Sequence, residues 1–224
     1  MAPQSKRRST LISIETEDDI LRGVRALNRK CPVMRKIYKA TGTPPLRRRD
    51  PGFGGLIRIV VGQQVSVASA NAIWARCVDG IQPMSAARIA ELTDDDLKAC
   101  GLSRPKIKTL FAVSTAVLDE GLDLDGAALL QDDEFRADLL RVSGIGPWTA
   151  DVFQMFCLGK PDVFAAGDLA LQVAAQEAYG LDARPNPDQL HELAEYWRPW
   201  RAIAARLLWA HYAMLKQGRS GIGV

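Results

Sequence analysis

Two histidines and four cysteines are all that this 224-residue chain contains of those residue types. Cys31, Cys77, Cys100 and Cys157 lie far apart, and no two form a Cys-x-x-Cys pair. That spacing argues against zinc and iron–sulfur sites. The cysteine density is also too low for a secreted disulfide scaffold, which leaves four reduced thiols packed in a core as the expectation. No apolar run approaches the ~20 residues that a membrane span needs, and the basic start Lys6-Arg7-Arg8 precedes no long apolar stretch. A soluble intracellular protein with no membrane partner is expected. Strand-like alternation is scarce, and neither an internal repeat nor a low-complexity segment is found.

What the chain does contain is an ordinary globular mixture, 47% hydrophobic and 25% charged. The net charge of +3 hides an uneven distribution. Residues 1 to 90 carry 16 Lys/Arg against 6 Asp/Glu, whereas residues 91 to 138 carry 5 against 12. A basic end on a neutral body suits a polyanion partner, and it equally suits a solvated surface preceded by a basic disordered tail over residues 1 to 10. Charge alone does not decide between them.

Nearly every periodic stretch is helical, punctuated by Pro and Gly, so the expected class is all-α with about ten helices. A first helix starts after Thr16, where Glu17-Asp18-Asp19 suits a helix N-terminus. Residues 43 to 52 read as a loop bearing Arg47, Arg48 and Arg49, as suited to a solvated surface as to phosphate contact. Phe53 to Val61 and Val67 to Val78 follow, separated by Gly62-Gln63-Gln64. Thr93 is expected to cap Asp94 to Cys100, and Ser103 a helix from about Pro105 to Leu118. Further helices are expected over residues 132 to 142, 147 to 158, 168 to 179, 187 to 197 and 200 to 216.

The most specific signal is Leu140-Arg141-Val142-Ser143-Gly144-Ile145-Gly146-Pro147-Trp148-Thr149-Ala150, between two amphipathic helices. A turn this tight needs positive φ or a missing Cβ, which Gly144 and Gly146 can supply. Ile145 can plug the helix junction, and Pro147 suits the first helical position. The free N–H groups that follow form a surface able to bind a phosphate oxygen without reading sequence. Twenty residues beyond Trp148, Ala165-Ala166-Gly167-Asp168 leads into an apolar helix. Asp168 reads as an N-cap, and a cap can also orient a catalytic carboxylate.

The hairpin and the downstream Asp168 resemble the helix-hairpin-helix glycosylase superfamily with its Gly/Pro-rich loop, and within it the 3-methyladenine DNA glycosylase II group. The resemblance runs from about residue 50 to 215. It implies two lobes around a DNA-binding cleft, one of residues 53–163 and one of 11–50 plus 168–218, in a compact form without an N-terminal β-rich domain. It also implies monofunctional excision of alkylated purines from duplex DNA by base flipping, with Asp168 catalytic. Gln63, Gln64 and Ser66 match the family's Gly-Gln-x-x-Ser segment, with Gln64 as the wedge. With Gly144, Gly146, Trp148 and Thr149 they are the expected DNA contacts.

Trp148 and Trp209 are the expected base-pocket aromatics, stacking on a charged purine by cation–π contact. Trp148 stands where bifunctional relatives hold a nucleophilic lysine, and the missing four-cysteine tail sets the chain apart from the endonuclease III branch. Asp168 is expected to stabilise sugar cation character, and an alkylated base leaves without a strong general acid. His191 and His211 then read as structural or surface residues, Asp151 as a surface or supporting residue and Asp162 as a turn residue. The resemblance implies a monomer, cytoplasmic in a bacterium or nuclear in a eukaryote. It implies no required cofactor and allows a monovalent cation at the hairpin. The alternatives are a noncatalytic helix-hairpin-helix protein that binds damaged DNA, and a glycosylase for hypoxanthine, etheno adducts or uracil.

Overall fold

In the computed structural model residues 13–220 are described, and the expected basic tail over residues 1 to 10 lies outside them. The described chain is all-α. Twelve α-helices and one 3-10 turn occur in it, and no strand. The chain opens with α1 (Glu17–Lys30) and α2 (Pro32–Thr41) and continues with α3 (Phe53–Gly62) and α4 (Val67–Gly80). Next come α5 (Ala86–Ala90), α6 (Asp94–Ala99) and α7 (Arg104–Leu118), then α8 (Asp132–Arg141) and α9 (Pro147–Phe156). It closes with α10 (Leu169–Tyr179), α11 (Pro187–Glu195) and α12 (Arg201–Ser220).

Local chemistry explains the boundaries. Thr16 and Asp19 form a reciprocal capping box at the start of α1, as do Thr93 and Asp96 at α6. Ser103 stands at the N-cap of α7, but its side chain makes no cap hydrogen bond, contrary to the expected role. The helices beyond the expected ten are α2 and α5. The first is started by Pro32, whose missing N–H costs nothing at a helix start, and it buries Met34 and Ile37. The second is five residues long, capped by Ser85, and too short to show a period.

The packing falls into two sets. Helix α3, whose Leu56, Ile57, Ile59, Val60 and Val61 are buried, packs on α4, α7 and α9, while α5 and α6 pack on α7 and α8 on α9. Helices α1, α2, α10, α11 and α12 pack on one another. Gly23 lets α1 approach α12 closely, since a Cβ there would lie 2.6 Å from Ile203.

Between α9 and α10 the loop is pinned by ion pairs. Asp162, expected to be a turn residue, receives Arg198 at 2.7 Å and Arg201 at 2.9 Å. Arg201 also donates to the Asp162 carbonyl. Asp151 is buried and paired with Arg136 at 2.6 Å, a supporting role for the hairpin helices. Burial pushes its carboxyl above the usual value of 3.8, and Arg136 opposes that.

Candidate active site

Asp168 is the N-cap of α10, and its Oδ1 accepts from the N–H groups of Ala170 at 2.9 Å and Leu171 at 3.1 Å. An ordinary cap would end there. Here two indoles also converge on the carboxylate. Trp148 Nε1, from the start of α9, donates to Oδ2 at 2.8 Å, and Trp209 Nε1, from α12, donates to Oδ1 at 3.2 Å. Oδ1 therefore has three donors and Oδ2 has one. An ionised carboxylate accepts at about four lone-pair sites shared by its two oxygens, so Oδ2 is the atom with capacity left. Two of the partners are backbone N–H groups of the α10 N-terminus and two are indole N–H groups, all neutral, and among the described residues no cation forms an ion pair with Asp168. Asp168 is half-buried between exposed Gly167 and Leu169.

The hairpin between α8 and α9 lies twenty residues upstream of this carboxylate. Gly144 has φ +88°, and a Cβ there would fall 1.9 Å from Thr109 Oγ1. Glycine is thus required twice over. Gly146 differs from the expectation of a conformational need: its φ is −95°, and nothing lies within 4 Å of where its Cβ would be. Its effect is to leave the N-terminus of α9 uncovered. Ile145 is buried in the junction and donates to the Val142 carbonyl at 3.0 Å. Pro147 has no N–H, so those of Trp148 and Thr149 are the first-turn donors of α9.

The Gly62-Gln63-Gln64 break meets this hairpin. Gln63 turns inward, its Nε2 donating to Thr149 Oγ1 at 2.8 Å with a long 3.5 Å contact to the Gly144 carbonyl. Thr149 is buried, so these two side chains are engaged with each other and lock the α3–α4 loop to the hairpin. Gln64 is exposed in the left-handed region at φ 54°, a conformation that costs a non-glycine residue about 1 kcal/mol or more and clusters at functional sites. Ser66 caps α4, accepting from the Ser69 N–H at 3.2 Å. Val65 and Val67 flank it, the latter 77% exposed, and form an apolar knuckle beside Gln64 that the sequence reading missed.

Trp209 borders a small cavity of about 50 Å³ that is also lined by Pro45, Arg47, Phe156, Arg206 and Ala210. The Phe156 and Trp209 rings lie 5.6 Å apart. Phe156 and Arg206 were not anticipated, although a lone Arg inside Ala202 to Leu208 was a visible signal. A larger cavity of about 750 Å³ between α8, α9 and α11 touches Trp148, Gly167 and His191 but is not lined by Asp168. The small cavity is not lined by Asp168 either, and at about 50 Å³ it is well short of the volume that takes even a benzene ring, so the base site is set by the two indoles on the carboxylate and not by either cavity. His191 is exposed, and burial lowers the His211 imidazole below its ordinary value. Arg48 and Arg49, expected to be solvated or on phosphate, are turned to the protein. Arg48 donates to the Cys157 carbonyl at 2.7 Å, and Arg49 lies 5.7 Å from the Phe156 ring. Among the described residues no cluster of three or more His, Cys, Asp or Glu could hold a metal ion, and no helix is long and apolar enough to cross a membrane.

Comparison with known proteins identifies the family. The chain is 26% identical over 197 residues to the alkylbase DNA glycosidase-like protein mag2 of Schizosaccharomyces pombe, covering 86% of this chain and 92% of that protein. It is 33% identical over 163 residues to the probable bifunctional transcriptional activator/DNA repair enzyme AlkA of Mycobacterium tuberculosis, covering 68% of this chain and 32% of that longer protein. The solved S. pombe 3-methyladenine DNA glycosylase Mag1, in complex with abasic DNA, superposes with a TM-score of 0.76 at 26% identity, covering 84% of this chain and 95% of that one. The family model described as HhH-GPD superfamily base excision DNA repair protein matches residues 57–199, and the chain belongs to that superfamily.

Proposed function

We propose that this protein is a monofunctional DNA glycosylase that everts alkylated purines from duplex DNA and hydrolyses the N-glycosidic bond, leaving an abasic site. The observation that carries the reading is the half-buried Asp168, held by four N–H donors beside an open hairpin N-terminus. Similarity to proteins named DNA-3-methyladenine glycosylase supports the alkylated-base scope.

The strand is gripped at the N-terminus of α9, beside which Gly146 leaves open space, so a phosphate meets backbone donors and the helix dipole. Gln64, with Ser66, Val65 and Val67 around it, enters the gap left by the everted nucleotide, offsetting an unstacking cost of roughly a few kcal/mol. Gln63 contributes by holding that loop to the hairpin. The everted base is received beside the indoles of Trp148 and Trp209, whose Nε1–H groups hold Asp168 next to it. As the C1′–N bond breaks, its electron pair leaves with the base and the sugar gains positive charge. Asp168 Oδ2 faces that charge and positions a water whose oxygen adds to C1′, the released proton passing to the carboxylate or to solvent.

No lysine amine serves as a sugar nucleophile in this reading. Trp148 occupies the hairpin exit, Lys106 donates to the Val61 carbonyl at 2.7 Å, and Lys160 pairs with Asp132 at 3.0 Å. The proposal extends to a monomer whose two helical sets form the lobes of the cleft. A monovalent cation at the hairpin is allowed by it, and no step depends on that ion. The test is incubation with methylated duplex DNA, read with and without alkali. Free base with strand scission only after alkali is the expected result. Scission without alkali overturns the monofunctional assignment, and tight binding with no base released overturns the enzyme.

A further inference from the structure

Lys106 is a charge buried where packing alone would favour an apolar side chain. It stands in the first turn of α7, is 8% exposed, and its Nζ donates to the Val61 carbonyl at 2.7 Å. Burial lowers its ammonium below the ordinary value, and among the described residues no carboxylate pairs with it to offset that cost. Val61 is fully buried one residue before the end of α3, so its carbonyl is among the last four that a helix leaves without a partner of its own. The neighbouring Val60 carbonyl accepts from the Gln63 N–H at 3.1 Å, and Lys106 serves the one that remains at the negative end of the helix dipole.

The chain leaving that carbonyl is the loop that carries Gln64. Its φ of 54° is a conformation that persists only where the surroundings hold it. Gln63 is tied to Thr149 from the hairpin side, and Lys106 ties the other approach. Thr109, three residues along α7 and so on the same face as Lys106, lies against Gly144, where a Cβ would fall 1.9 Å from its Oγ1. One face of α7 therefore touches both the end of α3 and the hairpin.

We propose that Lys106 is a positioning residue for eversion, fixing the end of α3 so that Gln64 is presented in its left-handed conformation, in register with the hairpin, before DNA arrives. The inference rests on the reading that this protein everts a nucleotide and fills the gap with Gln64. A wedge ordered in advance spends no binding energy on its own ordering. Its loss lowers the everted fraction, which limits the rate only where eversion is costly.

The experiment is single-turnover base release from two duplexes, one with 7-methylguanine opposite cytosine and one with the same lesion opposite an abasic analogue, where no pair has to be broken. Lys106→Met, checked for an intact melting transition, keeps the apolar stem and removes the donor. Release from the paired duplex should fall about tenfold or more, the scale of one hydrogen bond from a charged donor. Release from the unpaired duplex should stay within about threefold, because eversion there is cheap. Lys106→Arg, which keeps a cationic donor, should restore most of the paired rate. If Lys106→Met does not fold, Lys106→Gln, a shorter uncharged donor, carries the same comparison with a smaller paired-duplex loss. Equal loss from both duplexes, or loss from neither, overturns the proposal. Gln64→Ala is the control for the underlying reading and should show the same pairing-dependent loss. If it shows none, the wedge reading fails and the proposal with it; if it shows the loss while Lys106→Met does not, the Lys106 proposal alone fails.

Discussion

Replacing Trp148 by Phe separates two roles that the structure places on one side chain. Phenylalanine keeps an aromatic face for stacking and loses the Nε1–H that donates to Asp168 Oδ2 at 2.8 Å. A hydrogen bond to a charged group contributes about 1.5–3 kcal/mol net, equivalent to roughly 10- to 150-fold in rate if the transition state depends on it. The three donors on Oδ1 survive, so Asp168 stays at the N-cap but can rotate Oδ2 away from the sugar. Single-turnover base release from methylated duplex should therefore fall by about ten- to a hundredfold, on that scale. Affinity for a duplex with an abasic analogue should stay within about threefold, because the hairpin amides are untouched. Trp148→Ala, which removes the face as well, should be slower still. If Trp148→Phe retains excision within threefold of the parent, the indole acts by stacking and the orientation argument is refuted.

Gly144→Ala forces a Cβ to within 1.9 Å of Thr109 Oγ1 at φ +88°, and should cost about 2 kcal/mol or more, lowering Tm by roughly 4–8 °C. Thr109→Ala in that background should recover part of the loss, since it removes the hydroxyl and leaves the φ strain; a melting curve unchanged by Gly144→Ala contradicts the steric reading. His211 is lowered from 6.5 chiefly by burial, so the unfolded chain takes up protons first as pH falls. Its share of stability is present above about pH 6.5 and is lost as pH drops through the folded value, a loss that His211→Gln should reduce in thermal melts from pH 7.5 to 5.5. The four cysteines are buried and free, with Cys77 and Cys157 pushed up to about 12 by burial. A thiol reagent at pH 8 should label the native protein slowly and all four thiols after denaturation; rapid native labelling contradicts the packing.

Helix punctuation was readable because it is local chemistry. Thr16, Thr93 and Asp168 cap where their sequence contexts said they would. Ser103 did not, since the same residue type can occupy the N-cap without its hydroxyl bonding inward. Helix α2 escaped because its Cys31-Pro32 start follows directly on the end of α1. The catalytic candidate was legible from the Gly167-Asp168 context, whereas its indole donors were not, because spacing does not show where an Nε1–H points. Trp148 and Trp209 were read as faces for a base, and the structure adds that their edges hold the carboxylate. Gln63 and Thr149 meet across 86 residues, a pairing that no local pattern contains. Arg47 on a loop and Arg206 on α12 likewise meet at one small cavity through tertiary packing alone.

Asp168→Asn tests the central claim most directly, because the amide can keep the cap bonds from Ala170 and Leu171 through its carbonyl oxygen while losing the negative charge. Base release from methylated duplex should fall by at least about a hundredfold, the scale seen when one preorganised electrostatic group is removed, with abasic-duplex affinity retained. Wild-type rates of release from a folded Asp168→Asn protein would show that the charge at this position does not drive the reaction.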